Sequence, residues 1–343
     1  MAGLGGVGQR HLRNLRALTG GATTVLAYRS RGLSHVLTDT LDVSPGRDLA
    51  AEYDIAEFDN LDDALAERPD ITLVCNPTSL HVPVALAAAR AGSHLFIEKP
   101  LSHDTEGIDE LAQEVASRHL VALVGYQLRF HPCLRALRVL LERRVVGRVV
   151  AARLEVGEYL PGWHQYEDYR RMYAARQDQG GGVILSQIHE LDYACWLFGP
   201  PTRVFAVGGH LSRLDIDVED TASILMECTV DGRAIPVHVH QDYLQRPASR
   251  TCQVIGDAGK ILVDLREPSV RLFDGEGHPV QIDPIPPFER NQLFLDEMTH
   301  FLACVRGEQT PLVSLADAAR SLRIALAAKR SLVTRHVVEM DSV

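Results

Sequence analysis

Three places in the chain carry residue types whose chemistry goes beyond what packing requires. Gly3, Gly5 and Gly8 in MAGLGGVGQRH have the spacing G-x-G-x-x-G. Glycines so placed permit a tight turn and bring backbone N–H groups close to a phosphate, whose charge the next helix start favours. In HLFIEKP (94–100), Glu98 and Lys99 stand directly after an apolar run that Pro100 ends. Lys99 there can donate a hydrogen bond to a reacting hydroxyl or carbonyl, with Glu98 holding the lysine or a cofactor. In GGGVILSQIHELDYACWLFG (180–199), His189 follows a triple glycine. An imidazole titrating near neutrality suits general acid–base work. The plainer alternative is a helix histidine satisfied by Asp192.

These residues need elements to position them. Apolar runs at 23–28, 70–77, 94–100 and 120–127 alternate with helical patterns at 9–18, 79–92 and 104–119, the last capped by Asp104 or Thr105. That β-α-β rhythm implies a parallel, doubly wound sheet. Its carboxyl edge would carry Asn76-Pro77, Glu98 and Lys99, where ligands bind in such sheets. After a helix at 133–144, strands follow in succession at 149–160, 202–211, 221–230, 234–244, 251–257, 260–265 and 270–275, with turns at Asp231-Gly232 and 256–259. Consecutive strands joined by tight turns imply a mostly antiparallel sheet. One helix at 183–197 would put Ser186 and His189 on one face, with Asp192 and Trp196 on the following turns. Two helices, at about 290–305 and 315–334, close the chain. The expected fold is an α/β Rossmann domain (1–124) followed by an α+β domain (125–343) with an open, mostly antiparallel sheet and its last helices returning to the first domain. The cleft between the two is the expected site.

The end of the strand at 23–28 is where a Rossmann domain reads the adenosine ribose. The residues there are Tyr28, Arg29, Ser30 and Arg31, about 20 residues after Gly8. An arginine can pair bidentately with a 2′-phosphate, so the reading leans to NADP over NAD.

The bulk composition excludes other classes. The 343 residues carry a formal charge of −10, with 46% hydrophobic and 23% charged residues. An acidic balance disfavours nucleic acid or an anionic membrane as partner. No apolar run reaches the roughly 18–20 residues of a membrane span, no leader-like run opens the chain, and a cytoplasmic location is expected. Cys75, Cys133, Cys195, Cys228, Cys252 and Cys304 form no C-x-x-C pair. They read as buried reduced thiols rather than disulfides or a zinc site, and no metal is expected.

In this order and at these separations, the glycine loop, NPTSLH (76–81), Glu98-Lys99-Pro100 and the GGG…His189-Glu190-Leu191-Asp192 segment resemble the Gfo/Idh/MocA oxidoreductases. The resemblance runs from residue 3 to about 335. It implies NAD(P)-dependent redox of a sugar, cyclitol or sugar derivative, and a homodimer or homotetramer formed through the C-terminal sheet. It makes Lys99 and His189 the catalytic pair and puts Gly3, Gly5, Gly8, Asn76, His81 and Glu98 on the cofactor side. Tyr126 and Arg129 would then line the cleft.

One departure from the family pattern is visible. An Asp commonly stands one helical turn before the histidine, where this chain has Leu185 and Ser186. Either Asp192 or Glu190 then supports His189, or the substrate is held by Ser186 and the 161–173 loop with Trp163, His164 and Tyr169. Aromatics with polar tips suit sugar faces and hydroxyls. Alternatives to a dehydrogenase are a glycosidase-type enzyme with transient redox and a dinucleotide-sensing regulator. Only Met1 and Ala2 precede the glycine loop, so the first strand of the sheet is expected to be missing, with weaker cofactor binding and stability as the consequence.

Overall fold

A computed structural model of the chain describes residues 1–29, 35–38, 40–164 and 166–342. Helix α1 (Gly6–Thr19) rises from the glycine loop and stops at Gly20, whose left-handed backbone (φ 62°) ends the helix. Strand β1 (Val25–Tyr28) comes next, then the short antiparallel pair β2 (His35–Leu37) and β3 (Val43–Asp48), helix α2 (Leu49–Tyr53), β4 (Ile55–Phe58) and helix α3 (Leu61–Ala66). Strands β5 (Ile71–Val74), β6 (His94–Glu98) and β7 (Ala122–Gly125) alternate with α4 (His81–Arg90) and α5 (Ile108–Ser117). β5, β6 and β7 pair in parallel in that order, and β1 pairs in parallel with β4.

Between β1 and β5 lie Met1–Gly3, which hold the central place that the sequence reading leaves without a strand. Ala2 bridges both Tyr28 and Val74 in parallel. Ala2 N donates to the Leu73 carbonyl at 2.8 Å and Gly3 N to the Tyr28 carbonyl at 3.1 Å, and Cys75 N donates back to the Ala2 carbonyl at 2.7 Å. Helix α5 starts later than its expected cap: Gly107 precedes it, and the Asp104 carboxylate closes a turn by accepting from Glu106 N.

Helix α6 (Pro132–Glu142) opens with proline at its first position and is capped by His131, whose Nδ1 accepts from Cys133 N. The large sheet holds nine strands: β8 (Val149–Gly157), β9 (Pro201–Gly209), β10 (Thr221–Val230), β11 (Arg233–Asp242), β12 (Ser249–Gly256), β13 (Gly259–Asp264), β14 (Ser269–Asp274), β15 (Pro279–Val280) and β16 (Val338–Glu339). Their order is β15-β14-β13-β12-β8-β11-β10-β9-β16, and all pairs are antiparallel except β8 with β11.

The helix expected over 183–197 is two: α7 (Val183–Ser186) and α8 (His189–Phe198). Tertiary bonds hold the break, since Gln241 Nε2 donates to the Gln187 carbonyl at 2.6 Å and Gln187 Nε2 to the Asp242 carbonyl at 3.1 Å. Gly182 (φ 105°) lets α7 start against Glu219: an added Cβ would lie 2.3 Å from the Glu219 carboxylate. Helix α9 (Arg290–Val305) packs on α1, with mutual Asn14–Asn291 amide bonds and the Phe301 ring edge-on to Phe96 of β6. Helix α10 (Leu315–Thr334) starts in a capping box formed by Ser314 and Asp317 and covers β9.

Candidate active site

Gly3 and Gly8 are packed so closely that no other residue fits. Gly3 has φ 90°, and a Cβ on Gly8 would lie 2.4 Å from the Gly3 carbonyl oxygen. A Cβ on Gly5 would meet nothing within 4 Å. Gly5 thus presents open space directly before the first turn of a 14-residue helix, where unpaired N–H groups and the helix dipole favour an anion. This cradle fits the pyrophosphate of a dinucleotide.

Two loops at the carboxyl edge are locked together behind it. His81 is buried, and its ring spans them: Nδ1 lies 2.7 Å from the Pro100 carbonyl and Nε2 2.9 Å from the Asn76 carbonyl. Glu98 is held from the other side by buried His11, whose Nε2 lies 2.5 Å from Oε1. Burial opposes ionisation of Glu98, but the His11 bond and the charges of His11 and Lys99 outweigh it and hold the carboxyl below its ordinary range.

Lys99 Nζ donates to the Ser186 carbonyl at 2.7 Å, which pins the lysine to the end of α7. His189, the first residue of α8, stands one short turn further on. Its ring is edge-on to Tyr126 at 5.7 Å, and its buried Nδ1 has no hydrogen-bond partner among the described residues. Burial, then the positive charges of Lys99, Arg250 and Arg290, hold the imidazole well below its ordinary pKa, so it is neutral at pH 7.

Neither carboxylate expected to support His189 does so. Asp192 accepts a bidentate pair from Arg129 (2.9 and 2.8 Å) and a bond from Ser321 Oγ at 3.0 Å. Glu190 lies 2.9 Å from Arg250 Nε. The i, i+3 spacing of His189 and Asp192 is real, but a guanidinium matches a carboxylate better than a neutral ring does.

A cleft of about 690 Å³ joins these features. Of the residues singled out in the sequence, Gly3, Gly5, Arg29, Asn76, His81, Glu98, Lys99, Trp163, His164, Ser186 and His189 line it. Gly8 packs behind the loop. Tyr126 and Arg129 are buried behind the cleft wall rather than lining it, as is Asp192, and Tyr169 turns its hydroxyl to Asp215 N at 3.2 Å. Ser30 and Arg31 lie outside the described residues. Arg29 is ion-paired with Glu57. The cleft also includes residues that sequence reasoning missed, among them Glu158, Gln245, Arg250, Arg266 and Arg290. They come from separate strand ends and a helix start, with no local motif to mark them.

Residues 1–126 match a family model described as an oxidoreductase family with an NAD-binding Rossmann fold. The match agrees with the cradle at Gly5: this is an NAD(P)-dependent oxidoreductase. Residues 134–262 match the GFO/IDH/MocA C-terminal domain, and the chain belongs to the GFO/IDH/MocA oxidoreductase family. It is 27% identical to a myo-inositol 2-dehydrogenase of Thermotoga maritima over 99% of this chain and 98% of that enzyme. It is 26% identical to a scyllo-inositol 2-dehydrogenase (NAD(+)) of Bacillus subtilis, over 99% and 95%. Among solved structures, a probable dehydrogenase from Thermotoga maritima superposes with a TM-score of 0.75 at 25% identity, over 100% of this chain and 98% of that one. Among the described residues no helix is long and apolar enough to cross a membrane.

Proposed function

We propose that the protein interconverts a carbinol and a carbonyl on a sugar, cyclitol or sugar derivative, with Lys99 and His189 as the catalytic pair. The observation that carries this reading is that Lys99 and His189 line one cleft, with Lys99 Nζ bonded to the Ser186 carbonyl just before α8. A bound nicotinamide supplies hydride transfer. Gly3, Gly5, Asn76 and Glu98 would hold the dinucleotide, with Gly8 and His81 fixing their loops. In the oxidative direction neutral His189 takes the hydroxyl proton, while Lys99 Nζ donates a hydrogen bond to the reacting oxygen. Ser186, Trp163 and His164 contact the sugar; Arg129 and Asp192 act from behind, by holding α8 against the 126–130 turn.

Arg29 supports a preference for NADP over NAD. Its pairing with Glu57 makes that preference modest, because a 2′-phosphate must compete with a carboxylate already in place. The proposed domain division, 1–124 and 125–343, puts the cleft between a dinucleotide half and a substrate half. The outer face of the large sheet exposes Val207 and Leu225, and this face is the proposed homodimer or homotetramer contact. The six buried free cysteines suit a reducing, cytoplasmic location.

The test is a titration with NAD and NADP, followed by a panel of cyclitols and aldoses. Reduced nicotinamide should accumulate with at least one of them. Tight dinucleotide binding without turnover on any polyol would count against the reading and favour a sensing role. For the assembly, Leu225→Glu should reduce the mass measured by light scattering.

A further inference from the structure

One part of the cleft wall is rich in arginine. Across the whole cleft six arginines and one lysine face three glutamates, in a chain whose net charge is −10. Two of the three glutamates are already engaged: Glu98 with His11, and Glu167 with His164 at 2.9 Å. The positive charge is concentrated where Arg250 of β12, Arg266 after β13 and Arg290 at the start of α9 come together.

The carboxylates near these three do not balance them. Arg250 has Glu190 at 2.9 Å, and Arg266 reaches Glu158 only at 3.6 Å. Among the described residues no carboxylate lies within 4.0 Å of Arg290. Arg290 stands exposed at the start of α9 and lines the cleft together with exposed Arg266 and the largely buried Arg250. A guanidinium that faces an open cleft with two like charges beside it and no anion of its own is a site prepared for one. Its planar fork matches a carboxylate or phosphate bidentately, whereas a neutral polyol offers it only ordinary hydroxyl acceptors.

We infer that Arg250, Arg266 and Arg290 form an anion subsite and that the substrate is an acidic sugar derivative, bearing a carboxylate or phosphate near the reacting carbinol. This rests on the oxidoreductase reading above. The position near the reacting carbon follows from the shared cleft: Arg250 and Arg290 line it together with Lys99 and His189, and Glu190, next to His189 in α8, lies 2.9 Å from Arg250 Nε. An anion held there tethers the substrate with its carbinol towards Lys99 and the imidazole.

The test uses the full-length protein, with and without NAD, and measures affinities by calorimetry for three probes. These are glucuronate, glucose 6-phosphate and glucose, which share a ring and differ in charge. At least one anionic probe should bind tenfold or more tighter than glucose, and which one does separates carboxylate from phosphate. Arg290→Gln, and separately Arg266→Gln, should remove that advantage while glucose affinity changes less than twofold. Equal affinities for all three probes would overturn the inference, as would an advantage retained in both variants. The NAD titration in the same samples reads the oxidoreductase assignment on its own, and the probe arms decide the subsite whatever its result.

Discussion

Lys99 Nζ donates to the Ser186 carbonyl at 2.7 Å, across 87 positions of sequence. That bond joins the carboxyl edge of the parallel sheet to the end of α7, and α8 with His189 begins three residues later. The gap between Ser186 and His189 makes that bond possible: a continuous helix would have tied the Ser186 carbonyl into its own hydrogen-bond ladder. Breaking the helix frees that oxygen for the lysine.

The glycine loop separates backbone fit from ligand fit. Gly8→Ala forces a Cβ to 2.4 Å from the Gly3 carbonyl and should destabilise the fold by about 1–3 kcal/mol, the usual range for overpacking. Gly5→Ala meets no protein atom within 4 Å, so it should leave stability nearly unchanged and weaken dinucleotide binding. Urea unfolding and a dinucleotide titration on both variants check this.

Arg129 and Asp192 form a buried pair behind the cleft. Removing one partner leaves a buried charge alone, so Arg129→Leu should cost about 3–5 kcal/mol. The double variant Arg129→Met/Asp192→Leu should recover much of that loss. Denaturation of the two single variants and the double variant measures it.

The parts of this account that sequence could supply share one property: their signal is local. β5, β6 and β7 are short apolar runs with buried faces, and the Gly3–Gly8 spacing sits within six residues. β2, β3 and β4 are short and partly exposed, and β3 contains Pro45 and Gly46, so no period marks them. The break after Ser186 is imposed by Gln241, 54 positions from Gln187, and the true partner of Asp192 is Arg129, 63 positions away. The arginine wall is assembled from residues 250, 266 and 290, each unremarkable in its own segment.

Acid should weaken the fold through His131. Burial lowers its pKa from 6.5 to about 4. Below pH 6.5 the unfolded chain binds a proton that the folded chain refuses, so stability falls as pH drops towards 4. The loss is on the order of 3 kcal/mol at about 1.36 kcal/mol per pKa unit. Unfolding at pH 7.5 and 4.5 should show it, and His131→Asn, which keeps a helix cap, should flatten the slope.

Glu297 should act in the opposite direction. It is fully buried on α9, and neither carboxylate oxygen has a partner among the described residues. Burial, then the charges of Glu98 and Asp192, raise its pKa well above 4.5. As pH rises through 4.5 the unfolded chain releases a proton that the folded chain keeps, so this group costs stability with rising pH. Glu297→Gln should reduce the loss between pH 5 and 8 in the same denaturation series.

The proposed chemistry has His189 take the proton of the reacting oxygen while Lys99 donates a hydrogen bond to that oxygen. Its most direct test is single-turnover nicotinamide reduction by Lys99→Ala and His189→Ala, on whichever polyol or acidic sugar the wild type oxidises. Each variant should lose roughly 10²–10⁴-fold in rate, with dinucleotide affinity and unfolding midpoint close to wild type. Near wild-type rates in both folded variants would contradict it.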